Sequence, residues 1–148
     1  MFSSLAALFL SAFFAATLVV PIQSEIVFVA LQAAGTAPLW LLVTVASVAN
    51  TLGSFVNYVI GRQAHRLEGR SWYPASSTAM ARAEMWFRRW GVWALLLSWA
   101  PFGDIITVLA GVLRTPLWQF TLLVAIAKTG RFIVLGWITA EALTQIAG

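Results

Sequence analysis

The feature that most constrains this chain is the length of its apolar segments, because only two of them can cross a membrane without interruption. The five apolar segments are roughly residues 4–20, 24–35, 39–60, 91–113 and 117–140. A helix needs about 20 apolar residues to cross the hydrocarbon core of a bilayer, and segments 39–60 and 117–140 reach that length. Segment 24–35 is too short. Segment 91–113 is interrupted by Pro101 and Gly103, which disfavour a helix interior.

Each half of the chain also carries an acidic residue shortly after a proline, Glu25 after Pro21 and Asp104 after Pro101. A carboxylate at membrane depth is expensive and therefore points to function. A broken helix at that depth is tolerated only where protein or water shields the backbone. We therefore predict an all-α integral membrane protein built as an inverted repeat, in which each half has a re-entrant helical hairpin and a transmembrane helix. The hairpin turns are assigned to Pro21, Pro101 and Gly103.

Composition is that of a membrane protein, and we expect a single membrane domain over residues 1–148. Hydrophobic residues make up 61% of the chain and charged residues 9%, whereas about a quarter of a soluble domain is charged. The chain has no cysteine and one histidine, which leaves little from which to build a metal site or a histidine-based hydrolase. We expect no enzymatic activity, no metal, no cofactor and no nucleic-acid partner. The oligomeric state is left open.

The basic residues indicate how the chain is oriented. The connection 61–90, between a first repeat 1–60 and a second repeat 91–148, contains Arg62, Arg66, Arg70, Arg82, Arg88 and Arg89. The positive-inside rule makes this connection cytoplasmic, in a bacterial inner membrane. A re-entrant 91–113 segment also returns Arg114 to that side. Near the end of the 61–90 connection we predict a basic amphipathic helix with Trp86 and Trp90 on its apolar face. This helix either lies among the lipid headgroups or packs on the bundle.

The last span contains two cations, Lys128 and Arg131, one helical turn apart. Cations at that depth need partners, and Glu25 and Asp104 are the acids at comparable depth. We predict that the four side chains form one neutral buried cluster. Such a cluster either locks the hairpins in place, as a structural set of salt bridges, or forms a site at which a phosphate headgroup or a proton competes for the charges.

Span 39–60 has a polar stripe at three- and four-residue spacing that includes Asn50, Ser54 and Asn57. Small polar residues in membrane helices often join neighbouring helices. They can also line a hydrophilic groove, and we favour the groove because the stripe follows most of the helix.

Ordered motifs occur at residues 50–62 (NTLGSFVNYVIGR), at 98–104 (SWAPFGD) with Leu-Ala-Gly at 109–111, and at 128–131 (KTGR). Together they resemble the DedA family of membrane proteins, also called the VTT or SNARE-associated domain, in its small YqaA-like branch. The resemblance implies two oppositely inserted hairpins plus spans. It also implies translocation of phospholipid or of a polyprenyl phosphate, linked in some members to proton-motive force.

The chain departs from the main branch of that family at the second hairpin, where Ser98 and Asp104 stand in place of two arginines. Lys128 and Arg131 would then supply the positive charge. We expect a lipid translocase or scramblase with membrane lipids and protons as partners, in which the headgroup passes along Asn50, Ser54 and Asn57. Two alternatives stay open: a proton-coupled transporter of a small ion or solute, and a structural membrane protein without transport activity.

Overall fold

The computed structural model describes residues 1–17, 24–63, 78–99 and 104–148, and its regular structure in these ranges is helical. Pro21, Pro101 and Gly103, the predicted turn residues, lie outside the described residues. The helices are α1 (Phe2–Ala15), α2 (Ser24–Ala33), α3 (Leu39–Arg62), α4 (Thr78–Trp90), a 3₁₀ helix (Gly91–Trp99), α5 (Asp104–Val112) and α6 (Leu117–Ala147).

Two of these helices, α3 and α6, are long and apolar enough to cross a membrane. Each begins directly after a proline, Pro38 or Pro116, which lacks the amide proton that a preceding turn of helix would need. The sequence predicted both spans. The structure extends the second one from residue 140 to Ala147, because the segment that follows contains neither proline nor glycine before Gly148.

Helices α3 and α6 lie side by side in opposite directions. The Leu39 side chain covers Gly136, where an added Cβ would lie 2.7 Å from the leucine Cδ1. At the other end of α3, the Tyr58 ring packs on Phe120 with 4.8 Å between the ring centroids. Lys128 is eight residues from both Phe120 and Gly136, or about 12 Å from each along the helix axis. It therefore lies midway between the two ends of this pair.

The first two helices pack on different long helices. Helix α1 runs beside α3 in the same direction, since Asn50 Nδ2 donates to the Ala12 carbonyl at 2.8 Å and Asn57 Nδ2 to the Ala16 carbonyl at 2.6 Å. Helix α2 instead runs beside α6, where Gln32 Nε2 donates to the Gly136 carbonyl at 2.8 Å. Because Gly136 also contacts the first residue of α3, α2 ends where α3 begins.

In the first half, the first short helix thus packs on the long helix of its own half and the second packs on the long helix of the other half. The second half repeats this arrangement, which we call an exchange of partners. The 3₁₀ helix packs on α6 of its own half, and α5 packs on α3 of the first half. Helix α5 approaches α3 so closely that a Cβ added to Gly61 or Gly111 would collide with backbone of the other helix. Tyr58 then donates a 2.5 Å hydrogen bond to the Thr115 carbonyl. This bond places the α5–α6 turn, with Arg114, at the end of the bundle where α3 finishes at Arg62.

Helix α4 packs on the bundle by Phe87, which flanks the apolar face expected from the sequence. Phe87 is buried in the same apolar cluster as Tyr58 and Ile60, whereas Trp86 is 39% and Trp90 50% exposed. The two tryptophans, together with the exposed arginines of the helix, face outward instead.

Candidate functional site

The deepest charge in the bundle is that of Lys128, whose side chain is fully buried on α6. Its Nζ lies 2.5 Å from Oδ1 of Asp104, and the aspartate side chain is 23% exposed. A buried ammonium group is tolerated only when it is paired, because its loss of hydration costs several kcal/mol. Asp104 is in the first turn of α5, where the positive end of the helix dipole also favours a carboxylate.

A second ion pair lies one turn further along α6, where Arg131 Nη2 donates to Glu25 Oε1. This pair is more open than the first, with 28% of the arginine and 32% of the glutamate side chain exposed. Glu25 is in the first turn of α2, so it has the same favourable place at a helix start as Asp104.

The four charged residues predicted to form one cluster are thus brought together as two ion pairs. Both acids begin the second short helix of their half, and both cations lie on α6. Each cation has an acidic partner, Lys128 with Asp104 and Arg131 with Glu25, and the sequence had left this choice of partners open. A single cluster of all four side chains stays a prediction. Their use by a substrate or a proton stays a prediction.

An open groove of about 640 Å³ runs along α6 beside α2. Among the residues that the structure describes, the charged lining residues are Glu25 and Arg131, and the other lining residues are Ile126, Ala127, Gly130, Val134, Leu135 and Ile138. A groove that is otherwise apolar therefore gives access to the second ion pair, while the Lys128 ammonium is closed off from it.

The polar stripe of α3 lies elsewhere, inside the bundle. Asn50, Ser54 and Asn57 are 3%, 0% and 0% exposed. Asn57 joins three helices, because its Nδ2 donates to the Ala16 carbonyl of α1 and lies 3.1 Å from Thr107 Oγ1 of α5. In this conformation the polar stripe holds α1 and α5 against α3. Joining helices is the role that the sequence left open as the alternative to lining a groove. A headgroup path along it stays a prediction.

Sequence reasoning missed the groove beside α2 and α6. A signal was available in the three- and four-residue spacing of Ala127, Gly130, Val134 and Ile138, which places them on one face of α6 with Arg131. What the sequence could not provide was the position of α2, which decides whether that face is covered or left open. Within the described residues, no three histidine, cysteine, aspartate or glutamate side chains are grouped to hold a metal ion.

Comparison with known proteins finds a family and several relatives. Residues 10–140 match the VTT domain family. The chain is 33% identical over 143 residues to the inner membrane protein YqaA of Escherichia coli strain K12 and of Shigella flexneri, covering 95% of this chain and 94% of theirs. It is 33% identical over 149 residues to an uncharacterized protein of Haemophilus influenzae, covering 95% of this chain and 90% of that one. No solved structure matches it significantly.

Proposed function

This chain belongs to the VTT-domain family of membrane proteins, also called DedA, and from that starting point we propose that it translocates lipids with phosphate headgroups across the membrane. The observation that carries the proposal is the Arg131–Glu25 pair at the floor of an apolar groove. A guanidinium group binds phosphate oxygens in the same two-pronged way as it binds a carboxylate. A phosphate headgroup can therefore take the place of Glu25 without leaving Arg131 bare.

In the membrane, α3 and α6 would span while the shorter helices enter and return. Ala12 and Ala16 contact Asn50 and Asn57 in the same order along the two helices, which supports α1 entering from the end where α3 begins. Since α2 returns to that end, α1 and α2 would form one re-entrant hairpin. The 3₁₀ helix and α5 would form the other, from the opposite face. The exchange of partners between the halves is the packing expected of such an inverted repeat.

The orientation follows from charge. Arg62 and Arg114 lie at one end of the bundle, and Phe87 seats the arginine-bearing helix α4 beside that end. The positive-inside rule makes this end cytoplasmic. The relatives from Escherichia coli and Shigella flexneri are named as inner membrane proteins, and we propose the same membrane for this chain.

In the proposed mechanism, an anionic headgroup reaches Arg131 through the groove and displaces the Glu25 carboxylate. The displaced carboxylate is then neutralised by a proton or by water contacts, and it returns to Arg131 when the headgroup leaves. No step leaves a bare charge in the hydrocarbon region, where one would be unfavourable. Lys128 and Asp104 hold α5 against α6 during this exchange. Asn50, Ser54 and Asn57 line the later part of the path once the helices around α3 separate.

A water-soluble substrate is the main alternative, as in a proton-coupled transporter of a small ion or solute. The lining of the groove favours a lipid, because apart from its ion pair the groove is bordered by aliphatic and small residues of α6. Several of these side chains face outward, since Ile126, Val134 and Ile138 are each more than half exposed. A solute path would need polar walls at the same place.

The test is a liposome assay in which a fluorescent phospholipid is bleached from outside by a membrane-impermeant reductant. Arg131→Gln removes the charge that binds phosphate, and charge-assisted hydrogen bonds contribute about 1.5–3 kcal/mol. We therefore expect translocation to slow by about 10- to 100-fold. Arg131→Lys should keep part of the rate, because it retains charge but loses the planar fork.

The matched control is Arg88→Gln, which removes one arginine from α4, where its side chain is 79% exposed and pairs with Glu84. This variant should translocate lipid at the wild-type rate. If Arg131→Gln and Arg88→Gln both match the wild type, the charge at Arg131 is not used for transport. If no version of the protein moves lipid faster than protein-free liposomes, the solute-transport and structural alternatives take precedence.

A further inference from the structure

Among the glycines inside the described helices, one has no neighbour that requires a glycine. Gly53, Gly61, Gly111 and Gly136 all touch another helix where a Cβ would be crowded, and Gly35 and Gly91 have positive φ angles. Gly130 lies in the interior of α6, and a Cβ added there would meet no described atom within 4 Å outside its own helix. A helix-interior glycine is less favourable than alanine by about 1 kcal/mol.

Gly130 is also part of the floor of the groove, next to Arg131. Its missing side chain deepens the groove beside the ion pair, where a bound molecule could approach the α6 backbone closely. The groove residues extend from Ile126 to Ile138, which is about 18 Å along the helix. Arg131 is five residues from Ile126 and seven from Ile138, so the groove extends about 7 Å from it in one direction and about 10 Å in the other. This is long enough for the part of a chain nearest the phosphate, but shorter than the roughly 15 Å of one leaflet.

We infer that this groove binds the part of one hydrocarbon chain nearest the phosphate, in a lipid whose phosphate is held at Arg131, with that part of the chain lying across Gly130. The inference rests on the proposed function and makes it more specific, since the tail would be carried on the protein surface instead of staying free in the bilayer. The shared chemistry is an alkyl or prenyl chain joined to a phosphate group.

Charge and shape both favour a lipid chain over a helix from a second copy of the protein. The groove combines an apolar lining with one partly exposed guanidinium, which matches a molecule having one anionic end and one hydrocarbon chain. The α6 helix of a second copy has no acidic residue between Ile126 and Ile138 that could pair with this guanidinium.

The experiment uses the purified full chain in liposomes containing a phospholipid with a photoactivatable group in its acyl chain. We expect cross-links on residues 126–138 in the wild type. Gly130→Phe places a ring in the groove at a position where the added Cβ meets no described atom within 4 Å, and it should reduce both these cross-links and the translocation rate by at least about tenfold. A tenfold reduction corresponds to ~1.4 kcal/mol, which is less than the burial of two methylene groups contributes to binding. Ile133→Phe is the matched control on the same helix, because Ile133 is 54% exposed and does not line the groove.

The outcomes separate this inference from the proposed function. Groove cross-links that Gly130→Phe abolishes support the chain site even if no lipid is translocated. Translocation by the wild type, with Gly130→Phe and Ile133→Phe behaving alike in both measurements, would overturn the site and leave the proposed function intact. Efficient disulfide dimers of a Gly130→Cys variant would also overturn it by assigning the groove to a second copy.

The source of the chain is resolved by competition. Unlabelled phosphatidylglycerol or unlabelled polyprenyl phosphate is added at equal phosphate concentration, and the loss of groove cross-links is compared. Greater displacement by either one supports the site and identifies the chain it prefers. Displacement by neither would count against the site.

Discussion

Lys128 and Arg131 are three residues apart on α6, yet their surroundings indicate different roles. The Lys128 side chain has no exposed surface, whereas 28% of the Arg131 side chain is exposed in the groove. A charge that substrate binds and releases must be reachable, and in this conformation Arg131 meets that condition. Lys128 instead has the surroundings of a group whose pairing holds helices together. Removing one partner of such a buried pair is costly, while removing both can be nearly neutral.

The first prediction concerns the free energy of unfolding of Lys128 and Asp104 variants in mixed detergent micelles. Asp104→Asn leaves the buried ammonium unpaired and should lower the stability by about 3–5 kcal/mol. Adding Lys128→Met removes the unpaired charge and should restore most of the loss. If the double variant is no more stable than Asp104→Asn, then Asp104 does not stabilise the Lys128 charge.

At the scale of the helices, glycines set how closely the short helices approach α3. A Cβ at Gly61 would collide with the Val108 carbonyl of α5, and a Cβ at Gly111 would collide with the Tyr58 carbonyl of α3. Both obstacles are backbone atoms, which cannot move aside without shifting a helix. These contacts also position Asp104, because the same helix α5 carries the acid at its first turn.

We therefore predict that Gly61→Ala is destabilising although it adds only one methyl group. Overpacking typically costs about 1–3 kcal/mol, and backbone contact places this site at the upper end. Gly130→Ala is the matched control, since it adds the same methyl group in open space and should stabilise α6 by up to about 1 kcal/mol. Thermal unfolding in detergent compares the two. Equal midpoints for both variants would contradict the close packing of α3 on α5.

The sequence anticipated the long helices, and the need of two cations for two acids, for physical reasons that are local or additive. Apolar length and flanking prolines define α3 and α6, and the need to neutralise Lys128 and Arg131 selects Glu25 and Asp104. It did not anticipate the 3₁₀ helix at Gly91–Trp99, because its apolar residues are equally compatible with an α-helix. It also left undecided whether Asn57 lines a path or joins helices, since that depends on how near α1 and α5 lie.

The whole molecule has two ends that differ in charge, and this difference predicts its topology. Gln63 and Leu113 lie at the end rich in arginine, while Ala34 lies at the other end of α3. In a re-entrant arrangement Phe2 is on the same side as Ala34. If the chain crossed the membrane once between Phe2 and Ala34, Phe2 would instead be on the side of Gln63. These positions are all exposed, so a small label can reach them.

Because the chain has no native cysteine, single cysteines can be introduced at these positions without background labelling. We predict that Phe2→Cys and Ala34→Cys react with a membrane-impermeant thiol reagent in intact spheroplasts. Gln63→Cys and Leu113→Cys should react only in inverted membrane vesicles. Labelling of Phe2→Cys from the same side as Gln63→Cys would contradict the first hairpin. Labelling of Leu113→Cys from the side of Ala34→Cys would contradict the second.

The central claim is that this small bundle lets a phosphate headgroup cross the membrane through the pair Arg131–Glu25. The most direct test is the rate of trans-bilayer movement of a fluorescent phospholipid in liposomes containing increasing amounts of the purified wild-type protein. We predict that the fraction of lipid made accessible rises with the number of protein molecules per vesicle, and that Arg131→Gln lowers the rate at every density. A wild-type rate equal to that of protein-free liposomes at every density would contradict the claim.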